Sequence, residues 1–314
     1  IRKSPFSIQF YPFDLPKLLV SCNCGCGQEA ELLGMQSLPS VHWVNFNENI
    51  LFDTYPAKMP RQLADDLIYA HTNEKEIVFD AFCGSGVVLR QALLANRHAI
   101  GNDLNPKAIE LCKTDPVMAK HLDFPPEFQD VRLFQEDARK LSLEDNSVHF
   151  ILTSPPYGTL IAGKKLHYSD DPRDLSRLED YDDFRAAFKQ CIRELYRVLK
   201  PGRICIINVK PRNKGLFHPL HAYTLIDAID AGVAPWSEIV LPTHPYMIWT
   251  MGKELVRKAI PANEYALIFR KPDGVWEKKI EEEYRKEIEL MQRKFKKLLE
   301  EGNGTGIMTL KDFM

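Results

Sequence analysis

Glu76–Ala95 reads EIVFDAFCGSGVVLRQALLA. Glu76–Phe82 is an apolar run of strand length, Gly84 and Gly86 follow at once, and Val87–Ala95 continues as a helix-forming stretch. A strand, a glycine turn and a helix in that order form the opening half of a βαβ unit. Downstream, His98–Asp103 supplies a second strand, and Pro106 stands at the first position of the next helix, ahead of Ile109 and Leu111. Val131–Gln135 and Val148–Thr153 add two strands. Tyr181, Phe184, Phe188, Cys191, Leu195 and Leu199 then recur at steps of three and four, which is one buried helical stripe. Pro201-Gly202 is expected to end that helix, leaving Arg203–Val209 (RICIINV) as a central strand. A helix over Leu220–Ala231 and strands over Ser237–Leu241 and Glu264–Phe269 complete the pattern. The expected fold is α/β: a doubly wound, mostly parallel, seven-stranded Rossmann-like sheet with helices on both faces.

The chain has 314 residues, which at ~150 residues per domain suggests two units or one large domain with additions. Hydrophobic residues at 45% and charged residues at 27% suit a sizeable core in water. Lys plus Arg number 41 against 43 Asp plus Glu, a net charge of −2 that excludes a uniformly basic coat but not a local basic patch. No apolar run approaches a membrane span, and Asp14 and Lys17 interrupt the early apolar stretch, so no signal peptide is expected. Seven Cys, an odd number at uneven spacing, point to reduced thiols and a cytoplasmic chain. The expected organisation is an N-terminal extension (1–50), a main domain (51–273) and a C-terminal charged helix and tail (274–314). In the last, Ile280, Tyr284, Ile288, Met291, Phe295 and Leu298 form one sticky stripe for its own domain or a partner helix.

Three constellations carry chemistry. In Asp80-Ala81-Phe82-Cys83-Gly84-Ser85-Gly86 two glycines allow a sharp turn and the close approach of a ligand at a strand's carboxyl end. Leu89 replaces the third glycine of a dinucleotide fingerprint, which argues against a pyrophosphate. Asp103 ends the next strand, where a carboxylate accepts the hydroxyls of a ribose. Asp137, after the third, is placed to accept from an adenine amino group. Acids at three successive strand ends suit a nucleoside without phosphates. Last comes Thr153-Ser154-Pro155-Pro156-Tyr157-Gly158. Its two prolines fix the backbone and remove two N–H donors, so nearby carbonyls and the Ser154 hydroxyl face the cleft as acceptors beside the flat ring of Tyr157. That is a clamp for a planar heterocycle bearing an amino group.

These motifs resemble the S-adenosylmethionine-dependent amino methyltransferases that act on DNA bases, over about Tyr55 to Lys271. Asp80–Gly86 is similar to their cofactor loop, Asn102–Pro106 (NDLNP) to the next cofactor segment, and Ser154–Tyr157 to their catalytic tetrapeptide. Tyr55–Pro60 (YPAKMP), with a helix at Arg61–His71, resembles the motif packed over the methionine end of the cofactor. Arg197–Gly202 and Glu264–Lys271 match later family segments. The resemblance implies S-adenosyl-L-methionine as cofactor, held by Tyr55, Pro56 and Lys58, by Asp80, Phe82, Cys83, Gly84, Ser85 and Gly86, and by Asp103, Leu104 and Asn105. Asp137, Ala138 and Ser154 complete that set. Ser154, Pro155, Pro156 and Tyr157 are the implied catalytic group. Ser154 and the Pro155 carbonyl would accept the protons of a target amine, and Tyr157 would stack on an extruded base. Cys83 is read as packing, since direct transfer needs no covalent intermediate.

The implied partner is double-stranded DNA, with a cognate restriction endonuclease in prospect. Ser at the first tetrapeptide position is associated with cytosine N4 over adenine N6. Candidate DNA contacts are Lys164, Lys165 and His167 within 159–180; Lys210, Arg212 and Lys214; and Trp249, Lys253, Arg257 and Lys258 within 242–263. An RNA guanine N2 methyltransferase, a protein-glutamine methyltransferase and a non-catalytic nucleoside- or DNA-binding regulator stay open as alternatives. No metal is expected; Cys22, Cys24, Cys26 and His42 form a cluster whose spacing matches no common zinc pattern.

Overall fold

A computed structural model describes residues 59–122, 130–158, 167–214, 216–242, 263–273 and 278–301. Seven strands form one sheet: β1 (Ile77–Asp80), β2 (His98–Asn102), β3 (Val131–Phe134), β4 (Val148–Thr153), β5 (Leu199–Val209), β8 (Pro235–Pro242) and β9 (Asn263–Arg270). Their order is β3-β2-β1-β4-β5-β9-β8. The strands from β3 to β5 are mutually parallel, and β9 lies antiparallel between β5 and β8. β6 (Arg212–Lys214) and β7 (Leu216–His218) form a separate hairpin just after β5.

Helices cover both faces. α1 (Arg61–His71), α2 (Val87–Leu94), α3 (Pro106–Thr114) and α4 (Pro116–Leu122) bury Leu63, Leu67, Leu89 and Met118 against Val78, Phe150 and Ile206 on one side. On the other, α5 (Tyr181–Val198) and α6 (Leu220–Asp230) bury Phe184, Phe188 and Leu195 against Phe79, Ile151 and Phe269. The α5 stripe is the one expected from sequence, and Asp180 caps the helix by accepting from the N–H groups of Asp182 and Asp183. α7 (Lys278–Glu301) docks on its own domain: Ile288, Met291 and Phe295 are half-buried, and the Gln292 side chain donates to the Ile229 carbonyl.

One boundary differs from the sequence expectation. Pro201-Gly202 does not separate helix from strand, because β5 begins at Leu199 and carries both residues. The register with β4 shifts between Val148 and Phe150, and Gly202 (φ +77) donates its N–H to the Lys271 carbonyl. The pair thus makes a bulge near the strand's beginning, a place where Pro and a left-handed Gly are tolerated inside a sheet. Among the described residues no helix is long and apolar enough to cross a membrane.

Candidate active site

The carboxyl ends of β1 to β5 converge on one cavity, the position at which an open α/β sheet offers a crevice. The turn after β1 lines its floor. Gly84 and Gly86 have φ of +51 and +81, and a Cβ on Gly86 would lie 2.5 Å from the Met118 methyl carbon. Only glycine leaves this turn both left-handed and packed against α4. Cys83 and Cys112 lie beneath it with sulfurs 4.0 Å apart, and their mutual contact together with burial pushes the Cys83 thiol well up. Cys83 is therefore a protonated packing group.

Asp103 is 9% exposed and clasps this floor. Oδ2 accepts the Gly84 N–H and Oδ1 the Asn105 N–H, both at 2.9 Å. Each oxygen keeps a further lone-pair direction for a ligand hydroxyl. Burial raises its carboxyl to about 6, opposed by those two N–H groups. Asp80 is more deeply buried. Burial pushes it up to about 7, although Oδ1 accepts from the Thr153 hydroxyl at 2.7 Å and the Phe82 N–H at 3.1 Å. It thereby ties the glycine turn to the residue just before Ser154.

Asp137 lines the cavity but is already engaged. Arg139 grips both its oxygens, with contacts of 2.6–3.0 Å. Burial alone would raise this carboxyl, and the Arg139 fork outweighs that effect and holds it below the usual range. Ala138, Phe82, Ser85, Leu104 and Asn105 also line the cavity.

Ser154, Pro155, Pro156 and Tyr157 form the opposite wall. The Ser154 hydroxyl donates its single proton to the Asn208 carbonyl at 3.0 Å. Its remaining lone pairs can then only accept. The Tyr157 hydroxyl accepts the Lys210 N–H at 3.0 Å, and the residue is 7% exposed. Both ends of the tetrapeptide are thus fastened to the end of β5.

Several lining residues were not singled out from sequence. Asn102 donates from Nδ2 to the Ala81 and Glu136 carbonyls and accepts from the Glu136 N–H, stapling the ends of β1, β2 and β3. Its sequence signal is its place at the head of Asn102–Pro106, beside Asp103. Tyr168, Ser169, Arg173, Asp174 and Leu175 wall the cavity from a segment expected to meet DNA. Asn105 donates to the Tyr168 carbonyl, and Arg139 to the Arg173 carbonyl at 3.2 Å. His167 sits at the start of this segment, exposed, with Nδ1 3.2 Å from the Ser176 carbonyl. Lys210 points its charge toward Glu264 at 3.3 Å and lines the cavity with it. Arg212 and Lys214 lie on the β6–β7 hairpin. Tyr55, Pro56, Lys58, Lys164, Lys165, Trp249, Lys253, Arg257, Lys258 and the Cys22, Cys24, Cys26 and His42 cluster lie outside the described residues.

Similar proteins include the orphan methyltransferase M.BamHII of Bacillus amyloliquefaciens, 36% identical over 74 residues that make up 24% of this chain and 28% of that one. The type II methyltransferase M.MthZI of Methanothermobacter thermautotrophicus is 29% identical over 174 residues, 48% of this chain and 46% of its own. The chain spans between 22% and 54% of the length of the curated relatives it matches. Among solved structures, TTHA0409 of Thermus thermophilus, complexed with S-adenosyl-L-methionine, is 29% identical, with 46% of this chain and 57% of that chain covered and a TM-score of 0.34. The family model described as DNA methylase matches residues 36–114 and 148–307, well over half of the sequence, and the chain belongs to that family.

Proposed function

We propose that this chain transfers a methyl group from S-adenosyl-L-methionine to the exocyclic amine of a base extruded from DNA, cytosine N4 in preference to adenine N6. Family membership supports the reaction class. The observation that carries the chemistry is the Ser154 hydroxyl, whose proton is committed to Asn208 so that it faces the cavity as an acceptor.

The cavity fits the cofactor by charge and by shape. Asp80, Asp103, Glu136, Asp137, Asp174 and Glu264 line it against Arg173 and Lys210, so acids outnumber bases and a sulfonium and an ammonium are favoured over a pyrophosphate. Gly84 on the cavity wall leaves room for close approach, Gly86 packs away from the cavity against Met118 and Cys112, and the free lone pairs of Asp103 suit ribose hydroxyls. S-adenosyl-L-methionine supplies the reaction with a methyl group activated on a sulfonium. Asp103 holds the ribose, and the turn Asp80–Gly86 shapes the floor. Asp137 serves as a base partner only through what Arg139 leaves of it.

The amine of a cytosine or adenine is a weak nucleophile because its lone pair is delocalised into the ring. Ser154 accepts a hydrogen bond from one of its N–H groups and the Pro155 carbonyl from the other, which turns the nitrogen lone pair toward the donor. As the N–C bond forms the S–C bond breaks, and one amine proton is released to solvent. Tyr157, anchored through its hydroxyl, offers its ring as a stacking surface. Positioning of this kind is worth ~7–11 kcal/mol of a barrier, more than acid–base chemistry commonly supplies. Extrusion of the base costs a few kcal/mol, offset by stacking and edge contacts in the pocket.

In this reading 51–273 is the methyltransferase domain, and DNA is gripped by basic side chains around the cleft. The buried free thiols Cys83, Cys112, Cys191 and Cys205 accord with a reducing, cytoplasmic setting. Incubation with methyl-labelled cofactor and separate DNA, tRNA and protein tests the proposal, followed by mass spectrometry of the nucleosides. Label in DNA as N4-methylcytosine is expected. Label in tRNA alone overturns the reading, and N6-methyladenine in DNA overturns only the choice of base.

A further inference from the structure

Lys210 is placed by its sequence among phosphate-binding candidates, yet its ammonium turns inward. It meets Glu264 Oε1 at 3.3 Å, with side-chain exposures of 27% and 16% for the pair, and both residues line the cavity. The other oxygen of Glu264 accepts the Asn208 amide N–H at 3.1 Å, which fixes the orientation of that amide. Among the described residues the Asn208 Oδ1 atom has no partner and is sealed from water, so Asn208, 4% exposed on the cavity wall, acts as a support of that wall.

Asn208 and Lys210 stand two positions apart at the end of β5, a spacing that puts both on one face of extended chain. Asn208 holds Ser154 through its carbonyl, and Lys210 holds Tyr157 through its N–H. Their side chains therefore emerge beside the tetrapeptide. The carboxylate of Glu264 on β9 holds both side chains, and Lys210 Nζ, which has three N–H bonds, gives one of them to Glu264. Next to the amine on the Watson–Crick edge of cytosine or adenine is a ring nitrogen that accepts; in guanine that neighbour is an N–H. A donor beside the tetrapeptide matches the first arrangement and opposes the second.

We propose that Lys210, held by Glu264 and flanked by Asn208, forms the subsite that reads the edge of the target base, donating to the ring nitrogen beside the amine. This rests on the methyl-transfer reading above and narrows it to bases with an amine next to a ring acceptor. In this arrangement Glu264 is a positioning residue, and Lys210 is a specificity group instead of a phosphate contact.

The experiment uses the full chain and a duplex carrying the mapped target. In a second duplex the target base is replaced by its analogue lacking the ring nitrogen, 3-deazacytosine or 1-deazaadenine. The wild-type protein should lose about tenfold or more in kcat/KM on the analogue, the worth of a charged hydrogen bond. Lys210→Met should lose a similar factor on the normal base and nothing further on the analogue. Its cofactor affinity by calorimetry should equal that of the wild type. Glu264→Gln should discriminate less between the two duplexes, with cofactor affinity again unchanged. Equal discrimination by wild type and Lys210→Met overturns the inference and leaves the methyl-transfer reading intact, as does a wild type indifferent to the analogue. Loss of cofactor binding in Lys210→Met would make the residue a support of the cavity and also overturn it. A wild-type chain that methylates no DNA at all overturns both.

Discussion

Asp103 combines two demands that pull its protonation in opposite directions. Burial lifts its carboxyl to about 6, while the proposed ribose contact needs the ionised form. Protons and cofactor therefore compete: affinity for S-adenosyl-L-methionine should rise as pH climbs through about 6. Asp103→Ala should weaken binding by roughly tenfold or more, the worth of hydrogen bonds to a charged acceptor, and should flatten that pH dependence. Isothermal calorimetry from about pH 5 to about pH 8 measures both, and unchanged affinity removes Asp103 from the ribose. Ser154→Ala should leave this affinity nearly intact and lower turnover by about tenfold or more, since its partner is the amine. A variant at the wild-type rate would remove Ser154 from the chemistry. That both residues line the cavity was legible because each directly follows a strand of the sheet, Asp103 after β2 and Ser154 after β4. Asn102, Arg139 on Asp137, and the Glu264 fork were not. Their partners lie 2 to 56 positions away, and nothing in a linear pattern states which donor meets which acceptor.

At the scale of elements, glycines with equal dihedrals need not have equal value. Gly86 and Gly232 have φ of +81 and +84, but a Cβ on Gly86 meets Met118 and Cys112 within 3 Å, whereas one on Gly232 meets nothing within 4 Å. Gly232→Ala should cost about 1–2 kcal/mol, the price of a left-handed non-glycine residue. Gly86→Ala adds overpacking of about 1–3 kcal/mol and shifts the cavity floor. Urea midpoints at constant slope provide the comparison, and equal losses would show that the α2–α4 contact yields freely. Strand and helix positions were largely readable from period alone, as α5 illustrates. Pro201-Gly202 was misplaced because the same dipeptide serves a helix stop and a strand bulge, and only the β4 neighbour selects between them.

For the whole molecule, buried ionisable groups set how stability responds to pH. Asp80 has a folded value of about 7 against an ordinary value of 3.8. An acid raised on folding contributes most when protonated, so its contribution is full below about 4 and is lost as pH rises towards 7. His71 acts in the opposite sense: burial lowers it to about 4 from 6.5, so stability is lost as pH falls through that window. The difference between thermal melts of wild type and Asp80→Asn isolates the first effect. It should favour the variant increasingly from about pH 4 to about pH 7, and a constant difference would mean that Asp80 does not titrate in that window. The layered α/β arrangement follows from alternating strand and helix signals, but strand order does not, because any of several neighbours would satisfy the same apolar run.

That order has a consequence for biosynthesis. β9 is translated after β8 yet is wedged between β8 and β5, with β8 parallel to β5 in the finished sheet. A nascent chain emerging from the ribosome has the β5 edge vacant while β8 is already available to occupy it in the correct direction. Correct assembly requires that slot to be held open, or vacated, until the Glu264 strand arrives. Slow translation across 243–262 would lengthen the interval in which the wrong neighbour can settle.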